Sequence, residues 1–479
     1  MHSGGQQRQG AQIGNLRVRR GRRQRQVVEV ERPPIRRPRR PSVLFLVGGF
    51  LALIAIGAVL LWLPFASRDP GSVSLLTALF TSTSAVCVTG LVVVDTYDSW
   101  TTFGQVVILA LIQLGGLGFM ASATLLLLVL GRRLSLGQRV VTASLTGTLG
   151  AASVGDLLRR IFVMTLVIEA AGTAILIALF AVAEGALDAR VAWRGLFTAV
   201  SGFNNAGFDI EGGGRSLSHF ATHPLILLTV AALTIAGGLG YAVLWDLRNI
   251  RRWRALSLNS KIVLSTYAVL QVLGTLAIFA REAFGNGTLA SYAWPHAFVS
   301  SFAESAYSRT SGFTAFDLGH AEPDVLLIIA GLMFIGGASG STAGGIKVNT
   351  FTSLFATIIA SIRGEEHVHL FQREIPWTQV NRALTVALLS VAFVFTSAIA
   401  LHATNDADAL HSIFEAVSAF GTVGLSAGIT GTLNAAGQLV LIVAMFVGRV
   451  GPLTIALALT ARFSARERIR YPEAEINIG

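Results

Sequence analysis

The sequence predicts an all-α polytopic membrane protein, and three observations support that prediction. Of the 479 residues, 53% are hydrophobic and only 13% are charged, and the mean hydropathy is +0.64. Because a soluble domain carries about 25% charged residues, this composition excludes a water-soluble enzyme of this size. The single cysteine, Cys87, excludes a disulfide framework and a cysteine-based zinc site. The third observation is a fourfold repeat of short segments that end in glycine.

The first 42 residues form an arginine-rich segment without an apolar run. Twelve arginines fall within residues 1–40, and only Glu29 and Glu31 oppose them. Because arginine, glutamine, glycine and proline dominate, residues 1–42 are predicted to be a disordered cytoplasmic tail. Such a tail sets membrane topology and could also contact anionic lipid or RNA. We favour the topological role and expect no nucleic-acid partner.

Eight apolar runs of spanning length follow the tail, which places both termini on one side of the membrane. Thirty of the 37 basic residues fall in the tail, in 131–161, 247–261 and 347–382, and at the C-terminal end. The positive-inside rule assigns these segments to the cytoplasm. We therefore predict a multi-pass protein of the cell membrane with both termini cytoplasmic. The runs lie near 43–66, 103–130, 162–183, 223–246, 262–280, 325–350, 383–402 and 436–461.

Each external connection contains a moderately apolar stretch that is too short to cross a bilayer and ends near a glycine. In every copy a phenylalanine lies ten residues before that glycine, and the four glycines are separated by 117, 105 and 112 residues. The stretches read FTSTSAVCVTGL (80–91), FTAVSGFNNAGF (197–208), FAESAYSRTSGF (302–313) and FEAVSAFGTVGL (414–425). This periodicity predicts four pseudo-symmetric repeats of span, half-helix, loop and span around a single-chain pore. The repeats are 43–130, 131–246, 247–350 and 351–461, and a cytoplasmic tail follows at 462–479.

The glycine at the end of each half-helix suits a cation pathway. A cation that sheds its water needs a ring of carbonyl oxygens, and glycine lets the backbone turn them toward a common axis. We therefore predict a cation selectivity filter whose geometry resembles the K+ filter of a potassium channel, and no other metal site. Its residues are Val88, Thr89, Gly90, Asn205, Ala206, Gly207, Thr310, Ser311, Gly312, Thr422, Val423 and Gly424.

The span after each filter segment also repeats. The midpoints read LGGLGF (114–119), AGGLGY (236–241), IGGASG (335–340) and VGRVGP (447–452). In the first two copies we favour ordinary helix packing through small residues. The third copy continues as GGASGSTAGGIK (336–347), which is too polar for a lipid-facing helix, and irregular backbone at membrane depth lines a water-filled path or is buried in protein. In the fourth copy Arg449 replaces the second glycine; it is predicted to be a positive barrier in the pore, the alternative being an arginine bonded to neighbouring carbonyls.

Acidic side chains near the filter leave several roles open. Asp95 and Asp317 each lie five residues after a filter glycine and are predicted in an external vestibule. For Glu304 and Glu415, within the half-helices, bracing of the loops and a direct ion role stay equally open. Glu169 is predicted to be a structural hydrogen-bond partner inside the third span. The pair His367 and His369 has no metal-site spacing around it, and no catalytic motif is present.

These motifs resemble the Trk/Ktr/HKT superfamily of potassium transporters, and in particular its KtrB-type membrane subunits. The resemblance covers 43–479 and rests on SAVCVTGLVVVDT (84–96), GGASGSTAGGIKVNT (336–350), GRVGPLT (448–454) and the terminal RYPEAEINIG. It implies potassium selectivity, since sodium-preferring members carry serine at the position of Gly90. It also implies a conserved arginine at Arg449 and a gating loop made of Gly336, Gly337, Ala338, Ser339, Gly340, Ser341, Thr342, Ala343, Gly344, Gly345 and Lys347.

The resemblance further implies a homodimer in membrane lipid, seated on a cytoplasmic ring of RCK-type (KtrA-like) nucleotide-binding subunits. ATP or ADP would bind that separate regulatory subunit, and no cofactor is expected on this chain. The leading hypothesis is gated K+ uptake driven by the membrane potential. The alternatives are a Na+-coupled or Na+-conducting transporter, a polytopic membrane enzyme, and a membrane scaffold whose tail recruits RNA or lipid.

Overall fold

Helices make up most of the protein in the computed structural model, which describes residues 16–20, 26–30, 43–69, 71–131, 154–250, 252–284 and 287–451. The predicted tail 462–479 lies outside these residues. Within them there are fifteen α-helices: α1 (Val43–Trp62), α2 (Leu75–Cys87), α3 (Thr96–Ser99), α4 (Thr102–Gly131), α5 (Val154–Glu184), α6 (Ala189–Asn204), α7 (Pro224–Leu239), α8 (Tyr241–Asn249), α9 (Leu258–Glu282), α10 (Trp294–Tyr307), α11 (Pro323–Phe334), α12 (Val348–Ile362), α13 (Trp377–Thr404), α14 (Ala409–Gly421) and α15 (Ala435–Val450).

Residues 1–45 form a unit of their own, and part of it is a hairpin. Strand β1 (Leu16–Arg20) pairs antiparallel with β2 (Gln26–Val30), so that Arg17 lies opposite Glu29 and Val18 opposite Val28. For these residues the structure differs from the predicted disorder. Valine favours extended backbone, and an opposite-charge pair across the strands favours their pairing. The rest of the predicted tail lies outside the described residues.

Residues 46–479 form the second unit, which contains four short helices, α2, α6, α10 and α14, in place of the predicted half-helices. Side chains cap three of their first turns. Ser74 Oγ accepts from the Thr77 N–H at 3.1 Å, and the carboxylates of Asp188 and Asp408 accept from backbone N–H groups at 2.8 and 3.0 Å. The helices therefore begin five to eight residues before the predicted stretches. They end three residues before the glycine, or five in the third copy.

The short helices and the helices that follow them pack in a cycle that α9 closes in the third repeat. Helix α4 contacts α2 and then α6, and α7 contacts α6 and then α10. Helix α9 contacts both α10 and α11, and α11 contacts α14. Helix α15 contacts α14 and returns to α2. The short helices bury polar residues alongside apolar ones, among them Thr81, Ser82, Thr83 and Ser84 in α2. This arrangement brings all four glycine segments to one place.

Two of the predicted spans are broken. The chain bends by 102° between α7 and α8 at Gly240, whose φ of 78° and ψ of 161° suit glycine alone. The predicted span 325–350 is interrupted between α11 and α12 by an irregular loop, 335–347, held by a parallel bridge between Ile335 and Ile346. Glycine and hydroxyl residues in the loop bond to other segments instead of continuing the helix.

Length and hydropathy identify helices that can cross a membrane within the described part of the chain. Three qualify on these criteria: Asp156–Glu184, Leu258–Glu282 and Trp377–Thr404. The bent pair α7 and α8 would make a fourth. Six shorter apolar helices, of 10–17 residues, accompany them. The predicted number of eight spans is therefore not reached by this count.

A small hairpin, β3 (His369–Leu370) and β4 (Arg373–Glu374), precedes α13.

Candidate functional site

Four glycines, one after each short helix, form a closed ring. A Cβ atom added to Gly90 would lie 3.1 Å from the Cα of Gly207 and would collide with the carbonyl oxygen of Ala206. The corresponding distance from the added Cβ to the Cα of the next glycine is 2.8 Å for Gly207 and Gly312, 3.0 Å for Gly312 and Gly424, and 2.9 Å for Gly424 and Gly90. The short extended segments that contain these glycines are here called the four strands of the ring, numbered in chain order. They lie side by side in that order, and only glycine fits at each contact without displacing the neighbouring strand.

The backbone of the ring is strained in a regular way. The four glycines have φ of 93°, 68°, 74° and 100°. The residues two positions earlier also have positive φ: Val88 56°, Asn205 60°, Thr310 105° and Thr422 49°. For valine and threonine this conformation costs about 1–3 kcal/mol and is found mainly at functional sites. Because residues of positive and negative φ alternate, successive carbonyl groups turn toward the same side of the strand.

Most amide groups of the ring donate hydrogen bonds to the short helices that precede them. The N–H of Thr89 donates to Ser84 O at 2.8 Å, and the N–H of Gly90 donates to Ser84 Oγ at 3.0 Å. In the fourth strand, the N–H of Val423 donates to Ser418 O at 2.9 Å, and the N–H of Gly424 donates to Ser418 Oγ at 3.1 Å. The carbonyl oxygens of the twelve predicted filter residues accept no hydrogen bond from any residue that the structure describes. Because buried carbonyls are normally paired, this set of oxygens is suited to a dehydrated cation.

Two buried carboxylates brace the loops beyond the ring. Glu304 Oε2 accepts from the Ala315 N–H at 2.8 Å and from the Thr314 hydroxyl at 3.3 Å. Glu415 accepts from the hydroxyl groups of Ser426 and, at 2.8 Å, of Thr430. Both carboxylates are fully buried. Of the two roles left open by the sequence, these contacts match bracing, since each carboxylate holds the segment that follows its glycine.

The second strand is held by a charge cluster instead. Arg194 in α6 pairs with Glu184 and Glu211, and its side chain is 6% exposed. Glu211 lies four residues after Gly207, so the pair ties the segment beyond the ring to its own short helix. Partial burial, with the negative charges of Glu211 and Asp95, raises the pKa of Asp209 to about 7.

The predicted vestibule residues Asp95 and Asp317 are capping residues. Asp95 accepts from the N–H groups of Tyr97 and Asp98 and, at 2.8 Å, from that of Gly214 in the next external connection. Asp317 accepts from the Gly319 N–H at 2.9 Å, and its side chain is 64% exposed. Asp95 therefore joins two connections through backbone contacts.

The loop 335–347 lies against the ring. The Asn205 amide Nδ2 donates to Thr342 Oγ1 at 2.9 Å, and a Cβ added to Gly344 would collide with the Thr422 side chain. Asn205 and Thr422 belong to the second and fourth strands, which are opposite each other in the ring. The loop therefore touches the ring at two opposite points.

Arg449 joins this loop to the first repeat. Its guanidinium donates to the carbonyl oxygen of Thr342 and, at 3.0 Å, to that of Gly115, and the residue is 1% exposed. The alternative of an arginine bonded to carbonyls therefore holds, and one of those carbonyls belongs to the loop. Lys347 Nζ donates to the carbonyl oxygens of Ala343 at 2.6 Å and Gly344 at 3.2 Å, which closes the loop on itself.

Glycines in three of the following helices allow the short helices to approach. A Cβ added to Gly115, Gly237 or Gly448 would collide with the carbonyl oxygen of Val86, Phe203 or Phe420, respectively. Each of these carbonyls lies four residues before a ring glycine. Close packing through small residues was predicted for the first two copies, and the structure extends it to the fourth. In the third copy, Gly336 faces Gly344 of its own loop instead.

A polar network that the sequence did not predict lies behind the second strand. The Glu169 carboxylate accepts from Gln113 Nε2 at 3.0 Å and from Asn204 Nδ2 at 2.9 Å. Glu169 is 4% exposed, so its predicted role as a hydrogen-bond partner matches its contacts. Gln113 and Asn204 gave no sequence signal, because a single amide side chain in an apolar helix has no characteristic spacing.

Arg309, which follows α10, is a buried arginine that is 1% exposed. Its Cζ lies 3.6 Å from the ring centroid of Tyr267, and its Nη1 donates to the Tyr267 carbonyl oxygen at 3.2 Å. An aromatic face and a carbonyl thus replace water around the guanidinium.

The predicted filter and loop residues therefore lie together, with the loop on one side of the ring and the capped external connections beyond it. The TrkH family model, described as a cation transport protein, matches residues 43–465. Ktr system potassium uptake protein B from Bacillus subtilis is 37% identical over 439 residues, which are 92% of this chain and 96% of that protein. The potassium/sodium uptake protein NtpJ from Enterococcus hirae is 36% identical over 92% of this chain and 98% of its own length.

A solved structure shows the same fold. The potassium transporter TrkH from Vibrio parahaemolyticus superposes with a TM-score of 0.71 at 19% identity, over 91% of this chain and 88% of that one. The family match and the two relatives cover most of the sequence outside the N-terminal tail. The chain therefore belongs to the TrkH family of cation transport proteins.

Proposed function

We propose that this chain is the translocating subunit of a potassium uptake system and conducts K+ through the ring of carbonyl oxygens. The single observation that carries the proposal is the closed ring of Gly90, Gly207, Gly312 and Gly424, in strands whose carbonyl oxygens accept no hydrogen bond from the residues that the structure describes. Unpaired carbonyls can replace the hydration shell of a K+ ion. The names of relatives in Bacillus subtilis and Vibrio alginolyticus, both potassium uptake proteins, support the choice of ion.

The proposed architecture has eight transmembrane segments in four pseudo-symmetric repeats around one pore. The cyclic packing of short and long helices supports this arrangement. The shorter apolar helices would span the membrane together with the segments that flank them. The distribution of the 37 basic residues supports cytoplasmic termini in the cell membrane.

We propose that the loop 336–347 is the gate. Its contacts with Asn205 and Thr422 on opposite strands support this role, because a segment that reaches both strands crosses the axis between them. Arg449 would act both as a positive barrier to cations and as the clamp that holds the loop across the pore. In this account opening requires the loop to leave Thr422 and the Arg449–Thr342 contact to break.

The driving force is the membrane potential. An inside-negative potential of 100 mV contributes about 2.3 kcal/mol per monovalent cation, which sustains a gradient of about 50-fold. We also propose a homodimer on a cytoplasmic RCK-type ring that binds ATP or ADP. The word "system" in the names of the Ktr relatives supports an assembly of more than one component.

A Na+-conducting or Na+-coupled transporter is the second candidate. The observation that favours it is the 36% identical relative named a potassium/sodium uptake protein. Uptake of tracer K+ into vesicles with and without external Na+ separates the two candidates. Membership in a cation transport family argues against the membrane-enzyme alternative.

Growth at low external K+, in a host without its own uptake systems, tests the proposal. The wild-type chain is compared with Gly312→Asp, which places a carboxylate inside the ring, and with Gly428→Asp. Gly428 has a similarly positive φ of 95° but no atom within 4 Å of an added Cβ, so it controls for backbone strain. We expect growth with the wild type and Gly428→Asp alone. Growth with Gly312→Asp would contradict the filter, and no growth with wild-type protein present in the membrane would contradict K+ uptake by this chain alone.

A further inference from the structure

One side of the ring is made by the four residues two positions before the glycines, here called the lower ring: Val88, Asn205, Thr310 and Thr422. All four are buried, and their side chains differ in hydrogen-bonding capacity. Only Asn205 has both a donor group and an acceptor group fixed in one plane. Its backbone φ of 60° is one that asparagine adopts more readily than valine or threonine.

The Asn205 amide joins two different parts of the molecule. Its Nδ2 donates to Thr342 Oγ1 of the loop at 2.9 Å and lies 3.2 Å from the carbonyl oxygen of Phe203. A nitrogen must face that carbonyl, which sets the orientation of the amide. Its Oδ1 then accepts from the Thr310 hydroxyl, at 3.3 Å, in the neighbouring strand. Asn205 thus connects the loop to the third strand of the ring.

Thr342, the loop residue that Asn205 contacts, makes three further hydrogen bonds. Its N–H donates to Gly237 O at 3.3 Å, its hydroxyl donates to Phe203 O at 3.3 Å, and its carbonyl accepts from Arg449. The residue is fully buried. If the loop moves, Thr342 cannot keep its bond to Asn205, because the backbone of Asn205 is held by its own short helix, where its N–H donates to Gly202 O at 3.1 Å.

We propose that the Asn205–Thr342 hydrogen bond couples the gate to the filter, so that the position of the loop sets the side-chain geometry, and hence the ion preference, of the lower ring. This inference rests on the proposed role of loop 336–347 as the gate. With the loop closed, Asn205 and through it Thr310 are held in one arrangement; with the loop displaced, both side chains are released. Because coupling between two sites is reciprocal, ion occupancy of the lower ring also biases the loop.

The test uses purified full-length protein in vesicles with an imposed inside-negative potential, and measures K+ influx and the K+/Na+ influx ratio. Thr342→Val keeps the shape and backbone preference of the side chain but removes the hydroxyl that Asn205 contacts. Losing this hydrogen bond, together with the longer one from the hydroxyl to Phe203 O, is expected to raise K+ influx about 2- to 10-fold. The K+/Na+ ratio is expected to shift as well, which a purely structural role of a loop residue would not cause. Thr342→Ser, which retains the hydroxyl, is expected to reverse most of both changes.

Two further variants make the result specific. In the Asn205→Leu background, Thr342→Val is expected to change influx less than it does in the wild type, because the shared bond is already absent and only the longer bond to Phe203 O is lost. Thr229→Val removes a threonine hydroxyl that bonds only within its own helix, to Leu225 O at 2.7 Å, and is expected to match the wild type. Should Thr342→Val fail to reach the membrane, Asn205→Leu removes the same bond from the other side, together with the Asn205 contact to Thr310, and is expected to raise influx and shift the ratio in the same direction.

Three outcomes would overturn the coupling. They are wild-type influx and ratio in Thr342→Val, additive effects of Asn205→Leu and Thr342→Val, and a change in influx without any change in the K+/Na+ ratio. These failures differ from failure of the proposed function, which would appear as absence of K+ influx in the wild-type protein itself.

Discussion

Replacing Gly90 by serine perturbs the ring at a single contact. At a φ of 93° a serine costs about 1–2 kcal/mol relative to glycine. Its Cβ would lie 3.1 Å from the Cα of Gly207, against an ordinary carbon–carbon contact of about 3.5–4.0 Å, and would collide with the Ala206 carbonyl oxygen. The neighbouring strand must therefore move by about half an ångström, which turns one carbonyl away from the ion.

The loss of ion coordination at that carbonyl sets the expected loss of selectivity. If displacing the Ala206 carbonyl removes about 1–2 kcal/mol of preferential K+ stabilisation, the preference for K+ over Na+ falls by about 5- to 30-fold, since about 1.4 kcal/mol is tenfold. K+ and Na+ tracer influx into vesicles under the same imposed potential gives this ratio directly.

Gly428→Ser is the matched control for the Gly90 substitution. Its φ of 95° imposes the same backbone strain, but an added Cβ meets no atom within 4 Å. We expect this variant to retain the wild-type ratio. Wild-type selectivity in Gly90→Ser would refute the filter assignment, and an equal loss in Gly428→Ser would refute the argument from the ring contact.

Three other predictions follow from the same geometry. Arg449→Ala removes the clamp on the loop carbonyl and is expected to raise basal K+ influx; unchanged influx in well-folded protein would contradict the barrier. Glu415→Leu leaves the Ser426 and Thr430 hydroxyls without their acceptor and is expected to destabilise the protein by about 1–3 kcal/mol, seen as a lower Tm, whereas Glu415→Gln retains most of the stability. Because the pKa of Asp209 is raised to about 7, its negative charge is lost as external pH falls from 8 to 6; influx is expected to fall over this range, and Asp209→Asn is expected to be pH-insensitive there with influx at the low-pH level.

Local patterns in the sequence were enough to predict the ring. Glycine at a fixed distance after a phenylalanine, four times, identified Gly90, Gly207, Gly312 and Gly424, and the structure brings all four into contact. The glycine-rich stretch at 336–347 was predicted to leave helical geometry, and it does. Both predictions depend on what glycine permits at its own position, so they needed no knowledge of neighbours.

Predictions that depended on environment were less reliable. No pattern in the sequence indicated that Arg309 would lie against the aromatic face of Tyr267. The run 223–246 was predicted as one span, but the chain bends at Gly240, where an added Cβ would lie 3.0 Å from the carbonyl oxygen of Gly340 in the third repeat. Residues 16–30 were predicted as disordered from their composition, but valines and opposed charges pair two strands within them.

The sequence by itself determined the class of the protein and the identity of the carbonyl-bearing segments. Hydropathy is a property of composition, and the capacity for positive φ is a property of glycine, so both are encoded locally. Only the tertiary structure decided which strands are neighbours and what holds the loop. Asn205 and Thr342 are 137 residues apart, and Arg449 is 107 residues from Thr342 and 334 from Gly115. Contacts over such separations arise from the packing of whole helices, and no pattern along the chain specifies them.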